Sequence, residues 1–353
     1  MDILTQGLLG GVMAQAIASE DEKKLATLSG MAAGLLADAD VLIRSSSDPL
    51  LVIEYHRHFS HSLFFVPIGA AIAMALLWPF MRTRLSAGRL YVFCFAGYVL
   101  SGVLDACTSY GTMLLWPLSE ERFAFNIISI VDPVFTCALL ISVLAGLWLG
   151  QRRLALCGIA FCLVYLGIGK LQEQRASLLV QYLAQQRGHE ISNQVVKPTL
   201  GNLLLWRSIY RDKQRIYIDA LRLGLFSEAM IYSGENVPLF NVKKDLAFLE
   251  KDSVVANDIE RFTQFSDGYV ALDRDDFSIL GDMRYSMLPI SAKPLWGIII
   301  DEDKPNEHVD YRFFRKMDDA SREAFKNMLL GKEVQLDEQL KDGNPFQLPG
   351  KGI

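Results

Sequence analysis

Asp38 and Asp40 close the apolar stretch LLADAD, and His56, His58 and His61 crowd the segment EYHRHFSHS. Asp105 lies in GVLDACTSYGT, just ahead of Thr108, Ser109 and Tyr110, and Asp132 opens another apolar run in IVDP. Ionised side chains are costly in apolar surroundings, so those kept there pair, bind ions or line a polar cavity. Neutral imidazole and carboxylate oxygen both suit Zn²⁺ or Mn²⁺. In H-x-H-x-x-H two histidines stand three residues apart, on one face if a helix begins there. A divalent-metal site is the chemistry these residues suggest. The competing reading is local: Asp38, Asp40 and Asp132 as helix caps, Asp132 being followed by the good first-turn residue Pro133, with His56 and His58 as interfacial surface residues.

The elements that must position these groups are apolar and long. Residues 62–81 contain no charge over twenty positions, the length that crosses a bilayer as a helix. Residues 90–107 form a second span with Asp105 near its far end, and 133–150 a third. Residues 154–169 form a shorter fourth, about 24 Å of helix at 1.5 Å per residue. Residues 3–19 and 25–37 are short, uncharged and rich in Gly and Ala, and read as an N-terminal helical hairpin beside the bundle. A signal peptide is not expected, because no basic segment precedes the first apolar run.

Loop charges set an orientation. Arg82, Arg84 and Arg89 mark one short loop, and Arg152 and Arg153 mark a tight turn. Both are expected in the cytoplasm, which puts His61, Asp105, Asp132 and the C-terminal half on the outer side. The acids and imidazoles then share one membrane face.

Charge is unevenly spread: residues 1–170 carry 23 Asp, Glu, Lys and Arg, and residues 171–353 carry 52. With a mean hydropathy of +0.22 over 353 residues, this excludes a single water-soluble globule, a disordered chain and a fibre. The fold class expected is an α-helical polytopic membrane bundle, with at least four spanning helices plus the hairpin, over residues 1–170. A β-rich α+β soluble domain follows over 171–345, and then a flexible tail at 346–353. In the soluble half a polar helix is expected at about 171–188. Residues 202–211 and 215–222 flank the turn Asp212-Lys213-Gln214, a hairpin signal. Further strands are expected at 268–272, 277–287, 295–300 and 309–314, and an amphipathic helix at 318–330. The net charge of −5 and the lack of a basic run give no support for nucleic-acid binding. All five cysteines lie in or beside apolar runs and read as core residues.

These motifs resemble the bacterial YdjM-type (DUF457) inner-membrane proteins. The resemblance is carried by MDILTQGLLGG, GLLADADVLI, HRHFSHSL and, most firmly, LDACTSYGTMLLWPLSEERFAFNIISIVDPVF, with looser likeness in PTLGNLLLWRSIY and GDMRY. It implies a membrane-bound, metal-dependent hydrolase. The pattern H-R-x-x-T-H-S of that family falls on His56, Arg57, Ser60, His61 and Ser62, with Ser60 for the usual Thr. P-D-x-D falls on Asp38 and Asp40, with Ala37 for Pro. The aspartate ahead of T-S-Y-G-T falls on Asp105, followed by Thr108 to Thr112. A distant likeness of the family to zinc-dependent phospholipases implies phosphoester hydrolysis. Two positions depart. Many relatives carry a histidine four residues before the aspartate, where this chain has Ser101, and another in M-D-x-x-T-H, where it has Gln6. A site with one metal, or a degenerate one, fits these losses.

The function expected is therefore hydrolysis of a phosphoester or lipid-linked substrate at the outer face of the inner membrane. His56, His61, Asp38, Asp40 and Asp105 would hold zinc, or manganese, and water acidified by the cation would be the nucleophile. Asp40 or Asp105 would act as general base, Arg57 would neutralise a phosphate oxygen, and Thr108, Ser109 and Tyr110 would orient it. Membrane lipids are the expected partners. The alternative is a non-catalytic membrane protein whose outer domain binds envelope partners and whose metal site is structural or degenerate. A transporter is disfavoured, since transporters place such acids near the bilayer midplane. If Asp105 faces the metal, an imidazole one turn away at Ser101 would strengthen the site, unless Ser101 is small so that helices can pack closely.

Overall fold

The structure is a computed structural model that describes residues 1–225, 227–246, 249–250 and 252–334; the tail expected at 346–353 lies outside them. The chain divides into two units. One comprises residues 1–43, 54–171 and 200–202, and the other comprises 44–53, 172–199 and the residues from 203 onward.

The first unit is helical. Asp2 caps α1 (Ile3–Ala16), its carboxylate accepting from the Thr5 N–H. α2 (Lys23–Leu36) runs on into a 3₁₀ turn (Ala37–Leu42). α3 (Leu51–Tyr55) and a second 3₁₀ turn (Phe59–His61) lead into α4 (Val66–Met81). α5 (Ala87–Tyr98) is capped by Ser86, and α6 (Ser101–Ala106) continues its course. α7 (Pro133–Leu149) starts on an Asp132 cap with Pro133 in its first turn, and ends at Gly150 in the left-handed region, φ 67°. α8 (Arg152–Gln186) is a single helix of 35 residues.

Among the described residues three helices are long and apolar enough to cross a membrane: Lys23–Leu42, Ala87–Ala106 and Arg152–Gln186. A fourth exists only if Leu51–His61 and Val66–Met81, bent by 90° to one another, form one span; α7 is shorter. Two expectations change. The second arm of the supposed hairpin is span-length, because the helical turn continues through Asp38 and Asp40, which a count of uncharged residues treats as an end. The short apolar stretch at 154–169 does not stop at Lys170, since no Gly or Pro interrupts the polar turns that follow.

α1 packs on α2, α5 and α7, and α2 packs also on α4 and α5. The approach is closest at three glycines. A Cβ at Gly10 would fall on the Gly30 carbonyl, one at Gly30 on the Gly10 carbonyl, and one at Gly97 on the Gly30 carbonyl. Small residues let helix backbones meet in this way. Apolar side chains fill the spaces to either side, Leu8, Val12, Phe135 and Leu139 in one cluster and Ala70, Leu90, Phe93 and Tyr98 in the other.

Among its described residues the second unit holds two four-stranded antiparallel sheets, each ordered as a simple meander. The first comprises β1 (Asn193–Pro198), β2 (Leu205–Asp212), β3 (Arg215–Arg222) and β4 (Met230–Pro238). Asp212 pairs with Arg215 across the expected tight turn, where Lys213 takes a positive φ of 50°. After α9 (Val242–Asp245) and α10 (Val254–Phe265), the second sheet follows as β5 (Val270–Leu272), β6 (Ile279–Asp282), β7 (Trp296–Ile299) and β8 (Asp310–Phe313). α11 (Asp319–Leu330) falls where the sequence places it. Leu50 and Ile53, from the short segment 44–53, join Val255, Ile259, Phe262 and Trp296 in the core beside this sheet.

Three cations are buried together in this unit: Lys197, Arg207 and Arg284 share the field of Asp282, itself fully buried. Arg284 binds both oxygens of Asp282 at 2.8–3.2 Å. Arg207 spends its guanidinium on the Met283, Pro289 and Ser291 carbonyls, at 2.7–2.9 Å. The Lys197 ammonium sits 2.9 Å from the centre of the Tyr285 ring.

Candidate metal centre

The 3₁₀ turn after α2 carries Asp38 and Asp40, the 3₁₀ turn before α4 carries His61, and α6 carries Asp105. A Cβ on Gly102 would strike the His61 carbonyl. This glycine therefore lets α6 come close enough to bring Asp105 to the imidazole. Ligand atoms of Asp38, His61 and Asp105 all lie within 4.8 Å of one another. His61 and Asp105 are buried, and Asp38 retains a little exposure.

His61 is held from both sides. Its Nδ1 lies 3.1 Å from Asp40 Oδ2 and 3.0 Å from Ser60 Oγ. Its Nε2 lies 3.3 Å from Asp38 Oδ1 and 2.9 Å from Asp105 Oδ2. Asp40 is saturated: it accepts from the Arg57 N–H and the Ser60 hydroxyl, both at 2.8 Å, and meets His56 Nδ1 at 3.0 Å. A carboxylate so engaged fixes the orientation and tautomer of the ring beside it. With the Nδ1 proton directed to Asp40, the Nε2 lone pair points at two carboxylate oxygens. That arrangement is repulsive unless a cation or a proton lies between them.

Charge counting leads to the same need. The cluster holds three carboxylates, Asp38, Asp40 and Asp105, and one guanidinium, Arg57, which meets Asp105; two negative charges are left for a divalent ion to cancel. Asp38 Oδ2 is buried and has no hydrogen-bond partner. The donor set, one imidazole nitrogen and two carboxylates, suits zinc or manganese. A second source of positive charge is present, however: the amino group of Met1 lies against Asp105 Oδ1.

The remaining expected site residues are placed as follows. Arg57 is buried in the left-handed region, at φ 56°. Its guanidinium lies 3.4 Å from Asp105 Oδ2 and donates to Thr108 Oγ1 at 2.7 Å. Thr108 in turn donates to the Asp105 carbonyl at 2.7 Å. Strained backbone of this kind persists where the surroundings over-determine it. His56 stands off at the edge, its ring 6.5 Å from that of His61 and 5.0 Å from Tyr110. The Tyr110 ring lies against Arg57, 5.2 Å from its guanidinium carbon. Asp132 is not in the cluster; it caps α7 and accepts from the Tyr165 hydroxyl at 2.8 Å. His58 accepts from the Phe59 N–H at 2.7 Å and packs on Trp116.

Arg122 is a positioning residue that was not among the expected site residues. It donates to the carbonyls of His56, Gly111 and Glu54 at 3.0, 3.3 and 2.5 Å, tying the histidine segment to the loop after Asp105. Nothing in SEERF signals this, since the partners are backbone carbonyls far away in sequence.

The two departing positions prove to be neighbours. Gln6 Nε2 donates to the Ser101 carbonyl at 3.2 Å, and the Ser101 hydroxyl faces the Gly34 carbonyl at 3.5 Å. Both side chains are about 1% exposed. Ser101 therefore lies in a closely packed crossing, which favours the packing account over that of a missing ligand. Ser101→His should lower the thermal unfolding temperature in detergent by several degrees, because overpacking costs about 1–3 kcal/mol. A variant of native stability that binds metal more tightly would restore the missing-ligand reading.

A helical unit rich in apolar spans, with a buried imidazole set among carboxylates, defines the class: a membrane protein carrying a candidate metal centre. The sequence model of the YdjM inner membrane protein family matches residues 1–176. The chain belongs to that family through its N-terminal half, which contains every residue of the cluster. No curated protein and no solved structure matches the chain.

Proposed function

We propose that this protein is a metal-dependent hydrolase of the inner membrane, with Asp38, His61 and Asp105 as the ligands of zinc, or of manganese. The observation that carries the proposal is the His61 ring, its Nδ1 held by Asp40 and its Nε2 aimed at two carboxylates. A divalent cation at that point would polarise a phosphoryl or carbonyl oxygen and acidify a nearby water. The chain supplies the rest. Asp40 keeps the ring in its ligating tautomer, and Arg57, fixed by Thr108, holds Asp105 in place. Asp38, with one oxygen free of partners, is the group able to take a proton from water. His56 and Tyr110 border the exposed side and would meet a substrate, as would Ser109. A phosphoester or lipid-linked phosphate at the outer face suits this placement, with the domain from residue 171 outside the cytoplasm.

The test is hydrolysis of a chromogenic phosphodiester by the detergent-purified protein, with zinc or with chelator. Activity that needs metal and falls at least roughly a hundredfold in Asp38→Asn supports the proposal; no metal-dependent turnover on any phosphoester would defeat it. Sidedness has its own test: a reporter active only outside the cytoplasm, fused after residue 334, should be active. The reverse result would overturn the topology. A second reading has the Met1 contact behind it. With that amino group and His61 both protonated, the cluster balances its charge without metal and serves as a polar core.

A further inference from the structure

We propose a second site, independent of the first: the cleft where α2 and α8 begin and α7 ends binds the phosphate of an anionic lipid headgroup. The cleft has a volume of about 490 Å³ and is lined by Ser19, Glu20, Lys23, Gly150, Arg152 and Arg153, among others. Lys23 is only 4% exposed. Its ammonium nevertheless has no ion pair and no hydrogen bond among the described residues. The stem is covered while the ammonium opens on the cleft, which leaves a cation without a counter-charge of its own facing that space.

Part of the compensation is local. The Lys23 Nζ lies 4.0 Å from where a Cβ on Gly150 would stand, beside the carbonyl end of α7, which favours a cation. The helix end does not account for Arg152 and Arg153. Both are exposed, both line the same cleft, and neither has an ion pair among the described residues. Three cations then face one carboxylate, Glu20. The neighbouring Glu22 does not add to the negative side, since it gives α2 no side-chain cap and is held by Arg89 at 2.8 Å. The first-turn N–H groups of α2 thus have no side-chain cap, and such groups bind anions.

The occupant is set by position. Lys23 and Arg152 are the first residues of two of the three span-length helices, so the cleft stands at the level where headgroups lie. Basic pockets between helices at a membrane surface hold anionic headgroups. A phosphodiester with a net negative charge matches the cleft, whereas a zwitterionic headgroup brings its own cation to a site already rich in them.

The experiment uses the full chain, delipidated in detergent and titrated separately with phosphatidylglycerol, phosphatidylcholine and inorganic phosphate, with bound lipid read by native mass spectrometry. Phosphatidylglycerol should bind at least tenfold more tightly than phosphatidylcholine. The gain should be lost in Lys23→Gln and in the double variant Arg152→Gln/Arg153→Gln. The double variant changes only exposed side chains, so it tests the site even if Lys23→Gln fails to fold. Equal retention of the two lipids, or unchanged phosphatidylglycerol binding in the double variant, would overturn the proposal. Inorganic phosphate binding as tightly as phosphatidylglycerol would show a free-anion site and overturn the assignment to lipid.

Discussion

Purified without chelator, the protein should contain about one equivalent of divalent metal, and His61→Ala should lower that content at least tenfold. Loss of groups that merely orient a ligand already costs 10–100-fold in metal affinity, and His61 is the centre on which Asp38, Asp40 and Asp105 converge. Asp40→Asn should have a smaller effect, because it disturbs the tautomer while leaving Nε2 and both facing carboxylates in place. The ranking is the informative part. If the polar-core reading holds instead, the native protein will be metal-free, and His61→Ala will show its effect only as lost thermal stability, since Asp38 and Asp105 will then face one another without the imidazole. A metal-free native protein, or unchanged metal content in both His61→Ala and Asp105→Ala, ends the hydrolase proposal.

The second large effect lies in the sheet unit. Asp282→Ala should destabilise it by about 3–5 kcal/mol, because removing one partner of a buried ion pair leaves the other uncompensated. Here Arg284 would keep only the exposed Asp267, and Arg207 and Lys197 would lose the buried carboxylate nearest them. The measurement is amide exchange of β2 and β3 in the full-length protein, where protection should fall by two orders of magnitude or more. A loss of protection under threefold would mean that water reaches these cations. Lys197→Met should do the opposite. Burial holds the Lys197 ammonium well below its usual range, with the Asp282 charge working against that shift. Between the folded and unfolded pKa the unfolded chain binds the extra proton, so native stability should rise with pH up to the ordinary lysine value. Lys197→Met should remove this slope and raise protection at neutral pH.

Much of this was legible beforehand, and the reasons differ by element. The hairpin around Lys213, the strands at 268–314 and the closing helix follow from local turn residues and apolar alternation. β1, β4 and α10 escaped that reading: NQVVKP and MIYSGENVP carry polar residues, Pro or Gly through their length, and take their strand form from neighbours. Asp38, Asp40, His61 and Asp105 could be picked out as costly residues in apolar surroundings. Their division of labour could not. Asp40 as orienter, Arg57 as a group locked to Asp105 and Thr108, and Asp132 as a cap all depend on which atoms meet, and spacing along the chain does not encode that. Which stretches reach span length was only partly legible. A charge ends an apolar run in a hydropathy profile without ending the helix that carries it, as at Asp38 and Lys170, while the 90° bend ahead of α4 and the shortness of α7 leave three helices of span length among the described residues, or four if the bent pair is one span.

The glycine crossing of α1, α2 and α5 has a consequence for how changes in this protein should be interpreted. Asp38 comes eight residues after Gly30, and Asp105 eight residues after Gly97, so both carboxylates are cantilevered from one pivot by about two helical turns. A single methyl group at Gly30 would wedge the pivot open, and lever arms of equal length would carry the splay to the two oxygens that face His61. Substitutions that touch no ligand would then act as affinity mutations, with their effect set by angle instead of by contact.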